Sequence, residues 1–228
     1  MVIVSLKTES AGRPPLPADA RETTLQKAAE EISRIELSDG SLFSFRNCYL
    51  PHEIIETHIA AFDTTRENKI TDFEEAAFRH ASACLRTEKT ALRLIARAEQ
   101  CIAGLSRKLE KRGHGTACVN AVIERLCALQ LLDDNRFARL WLESRLRLPR
   151  SPRRLIIALC SRGIDRKDAD TAIKNVLDDD TEYSLLLRFA KKLAKKKKHD
   201  KNESRPLKYL LKNEGFSQTA IQRYMEEA

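Results

Sequence analysis

The stretch LSRKLEKRG at residues 105–113 recurs twice further along the chain, as LIIALCSRG at residues 155–163 and as LKYLLKNEG at residues 207–215. Every copy holds a leucine, a second leucine four residues later and a glycine four residues after that. Leucines with this spacing lie on one face of an α-helix. A glycine readily follows the last turn of a helix, because it adopts a left-handed backbone conformation without a Cβ clash. Each copy therefore predicts a helix that buries two leucines and ends at a glycine.

The three copies begin 50 and 52 residues apart, and a repeat length near this value is typical of stacked supersecondary units. Sequence periodicity also predicts one helix before and one helix after each copy. The preceding helices are expected at residues 88–103, 134–147 and 182–198, and the following ones at residues 118–129, 167–177 and 219–226. We therefore predict three tandem three-helix repeats, at residues 86–132, 133–180 and 181–228.

Helix start signals agree with this division. Pro152 and Pro206 stand at the expected N1 positions of two leucine-pair helices, where a proline fits well. Side chains that can accept hydrogen bonds from the first turn of a helix precede several of the predicted helices. The expected N-caps of this kind are Thr87, Thr116, Asp165 and Ser217.

The N-terminal third contains the one clear β-strand signal. Residues 34–37 alternate polar and apolar side chains, Asp39 and Gly40 follow, and residues 42–45 again favour a strand. An Asp-Gly pair between two such runs predicts a β-hairpin with a type I′ turn. A lone hairpin is marginal in water. We therefore expect it to pack on a first strand at residues 1–7 or on the helices that follow.

The rest of this third divides into two segments. Residues 1–33 are expected to be a flexible segment with that strand, a Pro- and Gly-containing linker at residues 8–20 and a short helix at residues 24–32. Residues 34–85 are expected to hold the hairpin and further helices. In this second segment Thr71 and Glu74 form a capping box, which predicts a helix running to about Leu85.

The chain is basic. Its 228 residues include 41 Lys and Arg against 33 Asp and Glu, so the formal net charge is +8. Residues 86–154 contribute most of the excess, with 16 basic against 7 acidic residues. This charge favours a polyanionic partner such as nucleic acid or a nucleoprotein. A protein that is merely basic and binds no polyanion specifically is the alternative.

Three clusters of basic residues are candidates for contacts with DNA or with a nucleoprotein filament. Arginine can bind phosphate or carboxylate through two parallel hydrogen bonds, whereas lysine acts as a point charge. A solvated helix face is the alternative explanation for each cluster. The candidates are Arg107, Lys108, Lys111 and Arg112 in the first cluster; Arg145, Arg147, Arg150, Arg153 and Arg154 in the second; and Lys191, Lys192, Lys195, Lys196, Lys197 and Lys198 in the third.

No catalytic or cofactor motif is recognisable. The sequence lacks a P-loop, a dinucleotide-binding glycine motif, an HExxH zinc motif and a nucleophile elbow. We therefore expect no enzymatic activity and no cofactor, and an enzyme with an unrecognised site is the weakest alternative. No signal peptide and no apolar run of membrane-spanning length are visible, which predicts a cytoplasmic protein without a membrane partner.

The cysteines suggest packing rather than metal binding. All six lack a C-x-x-C partner, so we expect reduced thiols in a reducing compartment. His80 and Cys84, four residues apart on a predicted helix, are expected to pack, as are Phe137 and Trp141. One further set fits no zinc template by its spacing: Cys101, His114, Cys118 and Cys127.

Residues 86–228 resemble the RecX family, the regulators of the bacterial RecA recombinase. The most specific part is LLDDNRFA at residues 131–138. In this family a glycine commonly precedes the Leu-Asp-Asp string, and here Gln130 and Leu131 occupy that region. The hairpin also resembles a short N-terminal extension of some members. The matching stretches are residues 91–97, 105–109, 131–138, 154–164 and 215–217.

The resemblance implies a mainly α fold, in which three three-helix repeats form an elongated, curved array after the small hairpin element. It implies a modulator of RecA that lodges in the groove of the recombinase–DNA filament during DNA repair and recombination. There it would impede ATP hydrolysis and strand exchange, or promote disassembly of the filament. Inhibition is the expected effect, and we expect a monomer. The expected partners are the RecA filament and single- or double-stranded DNA. A general helical module that binds DNA or RNA without recombinase specificity is the alternative.

Overall fold

The computed structural model describes residues 1–9, 31–63, 68–197 and 206–227. The predicted linker lies outside these residues from residue 10 onward, and so does the predicted short helix up to residue 30. Ile32, where that helix was expected to end, belongs to a β-strand instead.

A three-stranded antiparallel sheet opens the chain, in the order β1 (Ile3–Glu9), β2 (Ile32–Leu37), β3 (Leu42–Arg46). The first strand and the hairpin are thereby confirmed, and Thr8 and Glu9, which were expected to belong to the linker, belong to the strand. The predicted type I′ turn is wrong. It needs a positive φ at both central residues, and in this turn only Gly40 has one, of 82°. The N–H of Gly40 donates to the carbonyl of Leu37, and the carboxylate of Asp39 accepts hydrogen bonds from Ser41. This arrangement fits a type I turn followed by a left-handed glycine, the usual three-residue alternative to a type I′ hairpin.

Ten α-helices follow within the described residues, so the mainly helical fold class is confirmed. Short 3₁₀ and π-helical turns, Asn47–Tyr49 and Ile55–Ala60, flank the first of them. The helices are α1 (His52–Ile54), α2 (Asp72–Arg97), α3 (Ile102–Glu110), α4 (Thr116–Ala128), α5 (Asp134–Arg145), α6 (Pro152–Cys160), α7 (Arg166–Val176), α8 (Asp179–Lys197), α9 (Leu207–Asn213) and α10 (Gln218–Glu227).

Helix α2 is one continuous helix of 26 residues. Its capping box is confirmed, since the N–H of Glu74 donates to the Thr71 hydroxyl and the N–H of Thr71 donates to the Glu74 carboxylate. The predicted end near Leu85 and the predicted N-cap at Thr87 are wrong. The Thr87 hydroxyl donates to the carbonyl of Ala83 at 2.9 Å. Threonine can bond back one helical turn in this way, and the helix then continues through it.

The other start signals give a mixed result. Asp165 and Ser217 accept hydrogen bonds from the first turns of α7 and α10, as predicted. Pro152 occupies the start of α6 behind the N-cap Ser151, also as predicted. Gly115 rather than Thr116 is the N-cap of α4, and Pro206 is the N-cap of α9 rather than its first residue.

The leucine–glycine stretches form the predicted helix ends. Gly113, Gly163 and Gly215 have φ values of +84°, +100° and +87°. In each copy the glycine N–H donates to the carbonyl three residues back, and the next N–H donates to the carbonyl of the second leucine at 3.3 Å. These paired bonds define the Schellman motif. Five of the six leucines are fully buried, and Leu207 is half-buried.

The chain forms two compact units: Met1–Ala98 with Ser106–Leu129, and Glu99–Leu105 with Gln130–Ala228. The division into five segments stays a prediction, and its boundary between residues 85 and 86 falls inside α2. In the first unit the sheet packs on α2, where the rings of Phe45 and Phe78 stack with centroids 5.4 Å apart. The hairpin therefore packs on both the first strand and a helix, and the Ser82 hydroxyl bonds with the backbone of Ser44.

A buried charged group also holds the first unit together. The Glu88 carboxylate on α2 is 3% exposed. It accepts hydrogen bonds from Arg46 at 3.1 Å and from the Tyr49 hydroxyl at 2.8 Å, and Arg125 of α4 lies 3.8 Å away. Burial, followed by the bond to Glu88, raises the pKa of Tyr49 far above its usual value. A buried carboxylate needs such partners, so this residue joins α2 to the end of the hairpin and to α4.

The second unit uses the glycine turns as packing surfaces. A Cβ at Gly163 would lie 2.3 Å from the Cβ of Ala103. One repeat later, a Cβ at Gly215 would lie 3.4 Å from the Cβ of Arg153, and the N–H of Arg153 donates to the carbonyl of Glu214. Ala103 and Arg153 are separated by the repeat length. Each turn therefore packs on the same position near the start of the preceding leucine-pair helix.

We predict that Gly163→Ala destabilises the protein more than Gly113→Ala does. Both substitutions place a side chain in the left-handed region, which costs about 1–2 kcal/mol. A Cβ at Gly113 meets no atom within 4 Å, whereas the one at Gly163 collides with Ala103, and overpacking of this kind adds roughly 1–3 kcal/mol. Denaturant unfolding of the two variants measures the difference, and equal losses of stability would contradict the packing of this turn on Ala103.

Candidate nucleic-acid interface

The first predicted basic cluster lies together on α3 and in the turn that ends it. All four residues are exposed: Arg107, Lys108, Lys111 and Arg112. Arg107 and Lys111 are four residues apart, as are Lys108 and Arg112, so the two pairs lie side by side on one helical face. The guanidinium of Arg112 donates to the carbonyl of Lys108 at 3.1 Å. This cluster therefore forms a compact basic patch in the first unit.

The second predicted cluster is dispersed among structural contacts of the second unit. Arg145 is half-buried, with its guanidinium 5.6 Å from the centre of the Trp141 ring. Arg153 donates to the carbonyl of Asn213, and Arg154 pairs with Glu214 at 3.3 Å. Arg147 is exposed and Arg150 is half-buried. At least three members of this cluster therefore already support the packing of repeat elements.

The structure describes only the start of the third predicted cluster. Lys191 and Lys192 are exposed on α8. The side chains of Lys195, Lys196 and Lys197, and all of Lys198, lie outside the described residues. Lys191 and Lys192 thus remain candidates.

A further basic surface, which the sequence analysis missed, lies along the second half of α2. Arg86, Lys89, Arg93 and Arg97 are exposed and follow one another at intervals of three, four and four residues, so they form a stripe along one face. In the part of the chain that the structure describes, none of their side chains has a hydrogen-bond or ion-pair partner. The sequence contains this spacing. The helix start predicted at Thr87, however, placed Arg86 on a different helix from the other three residues.

The LLDDNRFA string forms a structural joint in the second unit. The Asp133 carboxylate caps α5 by accepting from the N–H groups of Asn135 and Arg136. The Asp134 carboxylate accepts from the N–H of Ile102 at 2.8 Å, at the first turn of α3. The guanidinium of Arg136 binds Glu99 at 2.8 Å.

Two more contacts complete this joint. Arg136 also donates to the carbonyls of Gln130 and Leu131, both at 3.1 Å. Gln130 has a φ of 55°, in the left-handed region that a glycine adopts most easily. Ala138 is fully buried, and Phe137 and Trp141 pack against the core, as predicted. The string therefore positions helices rather than presenting side chains to a ligand.

Partial burial raises the pKa of the Asp134 carboxyl, with the bond from Ile102 acting against it and the charges of Asp133 and Asp168 adding to it. A raised pKa in the folded state means that this group favours folding at low pH, and that its contribution is lost as the pH rises through the folded-state pKa. At neutral pH the negative charge of Asp134 is therefore unfavourable, although its hydrogen bond is useful.

We predict that Asp134→Asn and Asp134→Ala separate these two effects at neutral pH. Asparagine keeps an oxygen for the N–H of Ile102 and removes the charge, so this variant should be at least as stable as the wild type. Alanine loses the cap, which costs about 1 kcal/mol. Thermal unfolding across pH 4–8 measures both effects, and the advantage of asparagine should shrink as the pH falls. An asparagine variant as unstable as the alanine variant would contradict this account.

Within the described residues no helix combines the length and the apolar content that membrane crossing requires.

Comparison with known proteins places the chain in a family. A family model described as RecX, second three-helix domain, matches residues 133–173, which hold α5, α6 and most of α7. The "Regulatory protein RecX" of Treponema pallidum is 36% identical over 127 residues, covering 55% of this chain and 77% of the relative. That of Mycobacterium leprae is 32% identical over 134 residues, covering 57% and 78%.

Solved structures show the same fold. A crystal structure of a regulatory protein RecX aligns over 100% of this chain and 99% of its own, with a TM-score of 0.64 and 17% identity. The RecX structure from Lactobacillus salivarius aligns over 64% of this chain and 97% of its own, with a TM-score of 0.53 and 22% identity. With the sequence relatives above, these observations establish that the chain belongs to the RecX family of regulatory proteins.

Proposed function

We propose that this protein modulates a RecA-type recombinase by binding the recombinase–DNA filament, and that it inhibits ATP hydrolysis and strand exchange. Membership of a family of regulatory proteins carries the proposal. Regulation of this kind needs no catalytic step. Binding energy alone shifts the equilibrium of a filament toward the state that the ligand prefers. The protein would act in the cytoplasm as a monomer, in DNA repair and recombination.

The basic surfaces of the first unit support a polyanionic partner. From Arg86 to Arg97 the α2 stripe covers 11 residue steps, or about 16 Å of helix at 1.5 Å per residue. That length matches about five phosphates of one DNA strand, which follow each other at about 3.4 Å along the axis. Its four cations add to those of the α3 patch, Arg107, Lys108, Lys111 and Arg112. We propose both surfaces as contacts with DNA phosphate or with acidic groups of the filament.

In the second unit the candidates are fewer than the sequence indicated. Arg147, Arg150, Lys191 and Lys192 remain available as contacts by their exposure or partial exposure. Arg153 and Arg154 hold the turn after α9, so their substitution would disturb packing as well as charge. A binding test on these two arginines would therefore mix two effects, and the α2 stripe gives a cleaner test.

The function is tested by the ATPase activity of a bacterial RecA on single-stranded DNA, with and without this protein. We expect the rate to fall as the protein approaches stoichiometry with the recombinase, because the bound filament is held in a less active state. Bovine serum albumin at the same concentration serves as the control for nonspecific effects. An unchanged rate at stoichiometric protein would refute the proposal.

The same experiment distinguishes the alternative of a general DNA- or RNA-binding module. The exposed cations of α2 favour nucleic-acid binding even without a recombinase. Such a module would bind naked DNA with a steep salt dependence. It would leave the ATPase rate unchanged once DNA is in excess over both proteins.

We predict that the double substitution Arg93→Glu and Arg97→Glu weakens binding to DNA or to the filament. Removing one phosphate-binding cation should make the plot of log K against log salt less steep, by about 0.9 on duplex DNA or about 0.7 on single strands. The matched control is Lys167→Glu with Lys174→Glu, which changes the net charge equally on the exposed side of α7. Salt titrations of binding measure the slopes, and equal effects of the two double variants would exclude the α2 stripe as a specific contact.

A further inference from the structure

Three side chains of the kind that bind soft metal ions meet between α2 and α4 in the first unit. His80 and Cys84 are one helical turn apart on α2, and Cys118 faces them from α4. One ligand atom from each residue lies within 4.8 Å of the other two. Sequence spacing relates only His80 and Cys84, which lie on one predicted helix, because Cys118 follows His80 by 38 positions.

The distances within this cluster are close to those of a metal site. The Cys84 Sγ lies 3.5 Å from Nε2 of His80, and the Cys118 Sγ lies 3.7 Å from Nδ1. A tetrahedral Zn²⁺ with bonds of about 2.3 Å to sulfur and about 2.0 Å to nitrogen holds such atoms about 3.6 Å apart. A single ion uses one ring nitrogen, so the imidazole must rotate toward both sulfurs. His80 is exposed, so its ring is not held within the core.

The charge balance favours a divalent ion. Cys84 is fully buried and Cys118 is 5% exposed. Zn²⁺ displaces thiol protons, and two thiolates then cancel its two positive charges. A neutral loaded site suits a buried location, where an unbalanced charge is costly.

A cavity provides access and room for a fourth ligand. It has a volume of about 430 Å³, and its lining includes His80, Cys84, Cys48 and Tyr49. A zinc ion with three protein ligands keeps a fourth position for water or another ligand. Two of the three proposed ligands, His80 and Cys84, line this cavity.

We propose that His80, Cys84 and Cys118 bind Zn²⁺, with the fourth position open to this cavity. The ion would join α2 to α4. Because α2 also carries the basic stripe, metal binding would stabilise the helix that presents those cations. The proposal concerns binding only and does not depend on the proposed action on a recombinase.

The test uses the full-length protein, reduced and freed of metal with a chelator. Zn²⁺ affinity is measured by competition with a chromogenic chelator, and Co²⁺ serves as a spectroscopic probe. We expect one Zn²⁺ per chain, and a Co²⁺ complex with thiolate charge-transfer bands and the intense visible bands of tetrahedral coordination. Removal of any ligand should weaken binding by more than the roughly 10- to 100-fold that removal of an outer-shell partner causes.

The variants are His80→Ala, Cys84→Ser and Cys118→Ser, and the control is Cys127→Ser, which changes a half-buried thiol on the same α4. Substitution of buried Cys84 can affect folding, so circular dichroism accompanies each titration. His80→Ala tests metal binding without this complication, because the side chain of His80 is exposed and its removal leaves the core intact. The proposal is overturned if the wild type binds less than one tight equivalent, or if His80→Ala binds Zn²⁺ as tightly as Cys127→Ser does.

Discussion

The left-handed glycine after each leucine-pair helix is the constraint on which the rest of the helical structure depends. At Gly113, Gly163 and Gly215 the backbone has a positive φ, which lets two N–H groups reach the last carbonyls of the helix. The second leucine of each pair supplies one of these carbonyls and also lies in the core. Helix termination and core packing are thus fixed by the same residues.

In the second unit the turn has an additional role. The absence of a side chain at Gly163 lets the turn approach Ala103, and the equivalent turn at Gly215 approaches Arg153. A feature that ends one helix locally therefore also sets how closely one repeat packs on the preceding one. In the first unit the residue after the glycine makes a polar contact instead: Nδ1 of His114, which follows Gly113, lies 2.9 Å from the hydroxyl of Thr87.

The LLDDNRFA string, the most specific part of the resemblance to the family, holds helices together in this structure. Asp133, Asp134 and Arg136 form caps and ion pairs that hold α5 against the loop before it and the start of α3. A sequence signature of this kind predicts the fold, because its side chains cap one helix and bind the start of another. It says little about which surface meets a partner, and the exposed cations that could do so lie elsewhere.

What the sequence by itself determined was local: the repeat and its glycine-terminated helices, the hairpin and the capping box at Thr71. Each of these depends on residues within a few positions of one another, where backbone geometry and spacing decide the outcome. Local ambiguity also caused the errors, since a threonine such as Thr87 can cap a helix or bond back within one. Only the tertiary structure decided which charged side chains form ion pairs, as Arg154 does with Glu214. It also decided which side chains from distant parts of the sequence come into contact, as His80 does with Cys118. Such contacts depend on the packing of helices far apart in the chain, and no sequence spacing encodes them.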